Sequence, residues 1–204
     1  MELAHRWSDR NLTKMELVIA ILILTILIGT FSRYVLVIFS RAEQSMITST
    51  VININTALYY RAAMAVMRGE FQELGLLEKM NPMEELQSRP EISDMDMTLN
   101  NIPLALVAGS TSTSTPGNYG GVINAYTIES MEKGNWYFNQ DNRYLIYLVS
   151  NSEFFSSDVE GLPMIRFRIA IDYKDRNSNG QYDPASDEFQ TMKLESVDHY
   201  QWTY

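Results

Sequence analysis

Between positions 175 and 188 the chain reads Asp175-Arg-Asn177-Ser-Asn179-Gly180-Gln181-Tyr-Asp183-Pro-Ala-Ser-Asp187-Glu188. Oxygen-bearing side chains at alternate positions, then a glycine where the chain must turn sharply, is the layout of a calcium loop. The cation takes about six to eight hard oxygens from one short, tightly curved segment. Asp175, Asn177, Asn179, the Gln181 carbonyl, Asp183 and Asp187 are the candidate ligands. The twelfth position holds Ser186 where a bidentate Glu is usual, so Asp183, Asp187 or Glu188 must substitute. The same residues admit a plainer reading, because Asn179-Gly180 between two strands is also a hairpin-turn signal. Both readings stand at this point.

Other chemistry is thinly represented. There is no cysteine, which excludes disulfides, thiolate metal sites and Cys nucleophiles, and His5 and His199 are the two histidines, too few for a histidine-rich metal centre. His199 beside Tyr200 has no neighbour in sequence that suggests a triad. Glu84-Glu85 reads as a solvated helix face, and no phosphate-binding glycine loop is present. A net charge of -9 and a pI near 4.7 argue against nucleic acid, which demands clustered Lys and Arg. The expectation is a protein that is not an enzyme, with no cofactor unless Ca2+ binds at 175–188.

The elements that must carry such a loop begin with a very apolar segment, concealed by a mean hydropathy of only -0.17. From Leu17 to Phe31 the chain reads LVIAILILTILIGTF, and it resumes after Arg33 as Tyr34-Val-Leu-Val-Ile-Phe39. As a helix, Leu17 to Ser40 spans roughly 36 Å against about 30 Å of hydrocarbon. Arg33 lies near the far end, where its stem can reach the headgroups. A buried core helix would keep a polar face, and a cleaved signal would have a shorter apolar region followed by a small-x-small site. The segment therefore reads as one membrane span over 17–40. Arg6, Arg10 and Lys14 precede it, whereas beyond Ser40 only Arg41 occurs before Arg61. This bias places residues 1–16 in the cytoplasm and translocates the rest.

Beyond Arg41, Ile47, Val51, Ile54, Leu58, Ala62 and Ala65 recur at three- and four-residue steps, predicting an amphipathic helix over 41–80 whose stripe is either core or a partner surface. Gly69 and Gly75 weaken that helix, and Asn81-Pro82 marks a boundary or restart. Residues 88–121, with Pro90, Pro103 and Pro116 and the Ser/Thr tract 109–117, read as a variable middle with a loop. Period two then takes over. Asn135-Trp-Tyr-Phe-Asn and Tyr144-Leu-Ile-Tyr-Leu-Val149 read as a hairpin, Ile165 to Tyr173 as a strand with one wet face, and Phe189 to Val197 as its antiparallel mate. The fold class is α+β: a long N-terminal helix, then a domain over 81–204 whose antiparallel sheet lies mainly in 134–204 and is covered on one face by the helix.

Two stretches resemble known families. Leu12-Thr-Lys-Met-Glu16-Leu-Val-Ile-Ala-Ile21 is similar to type IV pilins and type II secretion pseudopilins, in which a Gly-Phe-Thr-Leu-Ile-Glu-Leu-like stretch precedes an apolar helix. Aligned on the glutamate, Leu12 takes the first mature position and Glu16 the fifth. The resemblance implies that Glu16 pairs with a neighbouring subunit's amino terminus; with Lys14 two residues away, a local interfacial role stands equally beside it. Asn11 stands where the cleavage glycine would be, and Lys14 intrudes among apolar positions, so the first eleven residues are expected to remain.

The C-terminal half carries Gly134-Asn-Trp-Tyr-Phe, Tyr144-Leu-Ile-Tyr, Ile165-Arg-Phe-Arg-Ile, Tyr173-Lys-Asp-Arg-Asn-Ser-Asn-Gly-Gln-Tyr182 and Val197-Asp-His-Tyr-Gln-Trp202. This succession resembles the membrane-anchored biogenesis components of MSHA (mannose-sensitive haemagglutinin) type IV pili, over the anchor and roughly residues 130–204. It implies a pilin-like assembly component of a Gram-negative inner membrane with its C-terminal domain in the periplasm. Its partners would be other pilus-assembly or pilin subunits, and it assigns no catalytic residue. A type II secretion pseudopilin and a tethered periplasmic calcium-binding or sensory domain are the alternatives.

Overall fold

The computed structural model describes residues 14–86, 115–124, 130–159 and 161–204, together with two short paired strands at 98–99 and 102–103. The first eleven residues, with Arg6 and Arg10, and most of the tract 109–117 lie outside the described residues.

Helix α1 runs unbroken from Lys14 to Arg68, 55 residues, or about 80 Å. Its first half is apolar on every side with no side chain buried before Ser40, and it satisfies the apolarity and length that a membrane crossing requires. Polar side chains inside it bond to the helix itself: Thr25 Oγ1 donates to the Ile21 carbonyl at 2.8 Å and Thr30 Oγ1 to the Ile26 carbonyl at 3.1 Å. Thr48, Thr50 and Thr56 bond in the same way further along the helix.

From Ser40 onward α1 changes character. Ser40, Glu43, Ile47, Thr50, Ile54, Leu58, Ala62 and Ala65 are buried at three- and four-residue spacing, with Ala57 beside Leu58, one face of a helix. The stripe is core, so its alternative reading as a partner surface is corrected: the sheet already covers it. Nor does the helix reach residue 80. Gly69, at φ +73°, takes the left-handed conformation. The Glu70 amide then bonds back to the Ala65 carbonyl (2.8 Å) and Gly69 N–H to Val66 (3.1 Å), the paired bonds that terminate helices at glycine. Helix α2 (Phe71–Leu77) folds back, tied by Arg61 Nε donating to Glu73 Oε1 at 2.8 Å, and sends Leu74 and Leu77 into the core. Helix α3 (Pro82–Glu85) restarts where Asn81 and Pro82 predict, with Asn81 Oδ1 accepting from the Met83 amide at 3.1 Å.

The strands in chain order are β1 (Thr98–Leu99), β2 (Ile102–Pro103), β3 (Tyr119–Ile123), β4 (Trp136–Asn139), β5 (Tyr144–Leu148), β6 (Phe155–Ser157), β7 (Met164–Lys174), β8 (Glu188–Ser196) and β9 (Tyr200–Trp202). The main sheet has the order β3-β4-β5-β7-β8, antiparallel except for the parallel β3–β4 pair. The expected hairpin is β4–β5, with Trp136 opposite Tyr147, and the expected long pair is β7–β8, with Ile169 opposite Leu194. One face presents Trp136, Leu145, Tyr147, Ile165, Phe167, Ile169, Ile171, Met192 and Leu194 to α1. Trp136 lies at its centre, 4.9 Å from Tyr147 and 5.8 Å from Phe167 between ring centroids. The other face is apolar over β4–β5, where Tyr137, Ile146, Leu148 and Met164 gather. Over β7–β8 it is wet, with cross-strand pairs Arg168–Glu195 and Lys193–Asp172. Two features were not expected: β3 lies inside the stretch read as a variable middle, and the C-terminal aromatic run forms β9, paired with β6 as a separate ribbon. The architecture is α+β, a helix laid on an antiparallel-rich sheet.

Candidate functional site

The loop joining β7 to β8 occupies the whole of 175–187, so Asn179-Gly180 does not close a two-residue hairpin. A relay of side-chain oxygens winds it. Asp175 accepts from the Ser178 amide (2.5 Å) and the Gly180 amide (2.8 Å), Asn177 Oδ1 from Asn179 (3.1 Å) and Asn179 Oδ1 from Gln181 (2.7 Å). Each oxygen is thereby tied to a backbone amide of the curve, and a carbonyl or carboxylate oxygen that accepts one hydrogen bond keeps a second lone pair. Ser178 (φ +57°) and Gly180 (φ +72°) supply the left-handed steps the curve needs.

The second half of the loop is arranged differently. Asp183 Oδ1 accepts from the Ala185 amide (3.0 Å), and its Oδ2 accepts from the Ser186 hydroxyl (3.0 Å) and Asn177 Nδ2 (3.4 Å). Asp187 is held by the amides of Arg176 (3.0 Å) and Asp183 (2.8 Å). For Asp187 partial desolvation opposes ionisation, but the Asp183 and Arg176 amides and the Ser186 hydroxyl outweigh it and hold the carboxyl below its usual range. Arg176 does the same for Glu188 through a direct hydrogen bond. Among the described residues, no three acidic or histidine side chains converge on one point. A cation here would thus depend on the Asn177 and Asn179 amide oxygens and the Gln181 carbonyl alongside Asp175, with Asp183 completing the set; Asp187 serves as a brace for the backbone.

The loop also walls a cleft of about 520 Å³, through Gly180, Gln181 and Tyr182. Its floor is the margin of β7 beyond Phe167: β5 pairs only with Met164–Phe167, so Ile169 and Ile171 have β8 on one side and the cleft on the other. Gly75, Glu78 and Lys79 close it from the α2 side.

A tightly held ionisable group lies elsewhere. Glu43, on the buried face of α1, accepts four hydrogen bonds at the end of β5: Tyr147 Oη (2.9 Å) and Ser150 N (2.6 Å) on Oε1, Asn151 N (2.9 Å) and Asn151 Nδ2 (2.8 Å) on Oε2. Burial, and then the Glu43 carboxylate, push the Tyr147 phenol far above its usual range, so it remains a donor wherever the fold persists. Sequence reasoning passed over Glu43, although it stands four residues before Ile47 on the same stripe. A charge in phase with a core face is the signal. Glu16 lies in the first turn of α1, exposed, in the same turn as Lys14. His199 is exposed in the β8–β9 connection, where its carbonyl accepts from the Asp158 amide at 3.1 Å.

Comparison of the chain with models of protein families, with curated proteins and with solved structures finds no significant match.

Proposed function

We propose that this chain is a membrane-anchored, non-enzymatic assembly component of a type IV pilus system of the MSHA kind. Its N-terminus lies in the cytoplasm, α1 crosses the inner membrane, and the α+β domain works in the periplasm by holding partner subunits. The observation that carries the reading is the double use of α1. One unbroken helix supplies both an exposed apolar rod and the spine of an antiparallel-sheet domain, the architecture that the resemblance to pilins implies.

The contact surface lies on the outward side of α1 and not on its buried stripe. Ile52, Tyr59, Val66 and Met67 are exposed along that side, a row of apolar residues spaced for a neighbouring helix. Crosslinking and pull-down of the native protein from membranes should recover pilus-assembly or pilin subunits, and deletion should reduce surface pili; normal pilus number and attachment in the deletion strain would overturn the proposal. Mass spectrometry separates the pseudopilin reading: retention of Asn11 is expected, and a new terminus at Leu12 would favour the pseudopilin.

The oxygen relay of 175–183 favours a second property, weak Ca2+ binding by the same domain. Two of its first three ligands are neutral Asn, so affinity is on the order of 10⁻⁴ to 10⁻³ M, as in extracellular modules. Millimolar Ca2+ should raise the melting temperature by mass action, and Asp175→Ala should abolish the shift. No shift with the intact loop would leave it a turn.

A further inference from the structure

The C-terminal ribbon ends beside the point where α1 enters its apolar half. The Arg41 guanidinium lies 5.0 Å over the Tyr204 ring, and Tyr204 Oη donates to Gln44 Oε1 at 3.0 Å. Trp202 stacks on Tyr204 with centroids 6.4 Å apart and planes within 16°. Phe154 lies 6.0 Å from Tyr204 and is fixed there because its carbonyl accepts from the Thr203 amide at 2.9 Å. On the preceding turn of α1, Ile38 and Phe39 are 63% and 56% exposed, and Tyr204 is itself 46% exposed. The result is a collar of apolar and aromatic side chains with one guanidinium: Trp202 packs its inner side against the core under Trp136, while Tyr204, Ile38 and Phe39 remain exposed.

We propose that this collar, formed by Trp202, Tyr204, Phe154 and Arg41, is a foot that seats the domain on the phospholipid headgroups of the bilayer that α1 crosses. The inference rests on the anchoring reading above and goes beyond it by naming the surface that touches lipid. Height along the helix selects the occupant. Gln44 lies only about 6 Å beyond Ser40 along the axis, and the headgroup layer on each side of a roughly 30 Å hydrocarbon core is about 5–8 Å deep. Leu17–Ser40 is longer than that core, so its last turn and the collar share the headgroup layer. Trp and Tyr favour this layer because their rings are apolar while their N–H and O–H groups stay wet, and a guanidinium there can fork onto phosphate oxygens.

Because the chain has no cysteine, single cysteines can be labelled cleanly in the full-length protein. Thr203→Cys places a nitrobenzoxadiazole fluorophore beside the collar, between Trp202 and Tyr204 in the chain, without removing an aromatic residue, Ile26→Cys places it in the span, and Ala185→Cys places it in the exposed far loop. Each protein is reconstituted into vesicles of phosphatidylcholine and phosphatidylglycerol containing lipids with a nitroxide either at the headgroup or deep in the chains. The position 203 label should lose most of its fluorescence to the headgroup nitroxide and little to the deep one. The position 26 label should show the reverse, and the position 185 label should respond to neither. Tyr204→Ser should bring the position 203 label down to the response of position 185. If position 26 is quenched while position 203 behaves like position 185, the foot is wrong and the anchor stands. If Tyr204→Ser leaves position 203 unchanged, the aromatic collar is not what holds it. If position 26 escapes the deep nitroxide, anchor and foot fall together.

Discussion

The two halves of α1 are one helix by hydrogen bonding and two objects by solvation. In the half before Ser40, Ile, Leu and Val face outward in every direction, and none of the described residues buries them. In the half after it, the same residue types are confined to one face, and Ile54 and Leu58 are completely buried. Apolar content therefore does not say what a helix packs against. The angular distribution of that content does, since an all-round apolar surface needs an apolar solvent and a stripe needs a sheet.

The sharpest way to break this contrast is at Glu43, where the second half begins. Glu43→Ala would leave Tyr147 Oη, the amides of Ser150 and Asn151 and the Asn151 side chain without their acceptor. The expected cost is about 4 kcal/mol, or a melting temperature lower by roughly 10 °C. Glu43→Gln, which keeps one acceptor oxygen, should lose less than half of that. Both are read by thermal unfolding of the full chain in detergent micelles.

Paired truncations come next in size. Leu58→Ala opens a void under the sheet and should cost about 3 kcal/mol, whereas Leu24→Ala in the exposed half should leave the same transition within about 0.5 kcal/mol. Equal losses would mean that the halves are not distinct. Asn55→Ala, which removes the acceptor for the Leu194 amide (2.6 Å) at the open edge of β8, should cost about 1 kcal/mol and speed hydrogen exchange at Leu194.

The smallest effect belongs to the β7–β8 loop. The carboxyl of Asp187 has a lowered pKa in the fold, so the stabilisation it gives is present above its unfolded value near pH 4 and is lost as pH falls through the folded value. Amide exchange at Arg176 and Asp183 should therefore lose protection below about pH 4, and Asp187→Asn should remove that pH dependence.

Much of this contrast was legible in the residues. The change from all-round apolarity to a stripe after Arg41, the alternation in Ile165–Tyr173 and the Asn81-Pro82 restart each follow from one period or one local preference, and each has its counterpart in the structure. The features that were missed depend on partners distant in sequence. Tyr119–Ile123, with two glycines, carries little strand preference of its own and becomes β3 because β4 offers it a parallel edge. Tyr200–Trp202 becomes β9 because Phe155–Ser157 is there to pair with it. Glu43 meets β5 across more than a hundred residues, and only its phase on the helix announces the meeting. The loop at 175–187 was read in both its forms, and its oxygen relay was implicit in the spacing of Asp175, Asn177 and Asn179. The bracing role of Asp187 was not, because it is made with backbone amides that sequence spacing does not locate.

Without a break between Ser40 and Arg68, α1 is also a lever. Helices cross bilayers at tilts averaging about 20°, and in the anchored arrangement proposed above the stretch from Ser40 to Arg68 would reach roughly 42 Å from the membrane. A swing of that angle would carry the far end sideways by about 14 Å. With the sheet clamped along this arm through Glu43 and Asn55, torque applied at the cleft end passes to the exposed apolar half with no joint to absorb it.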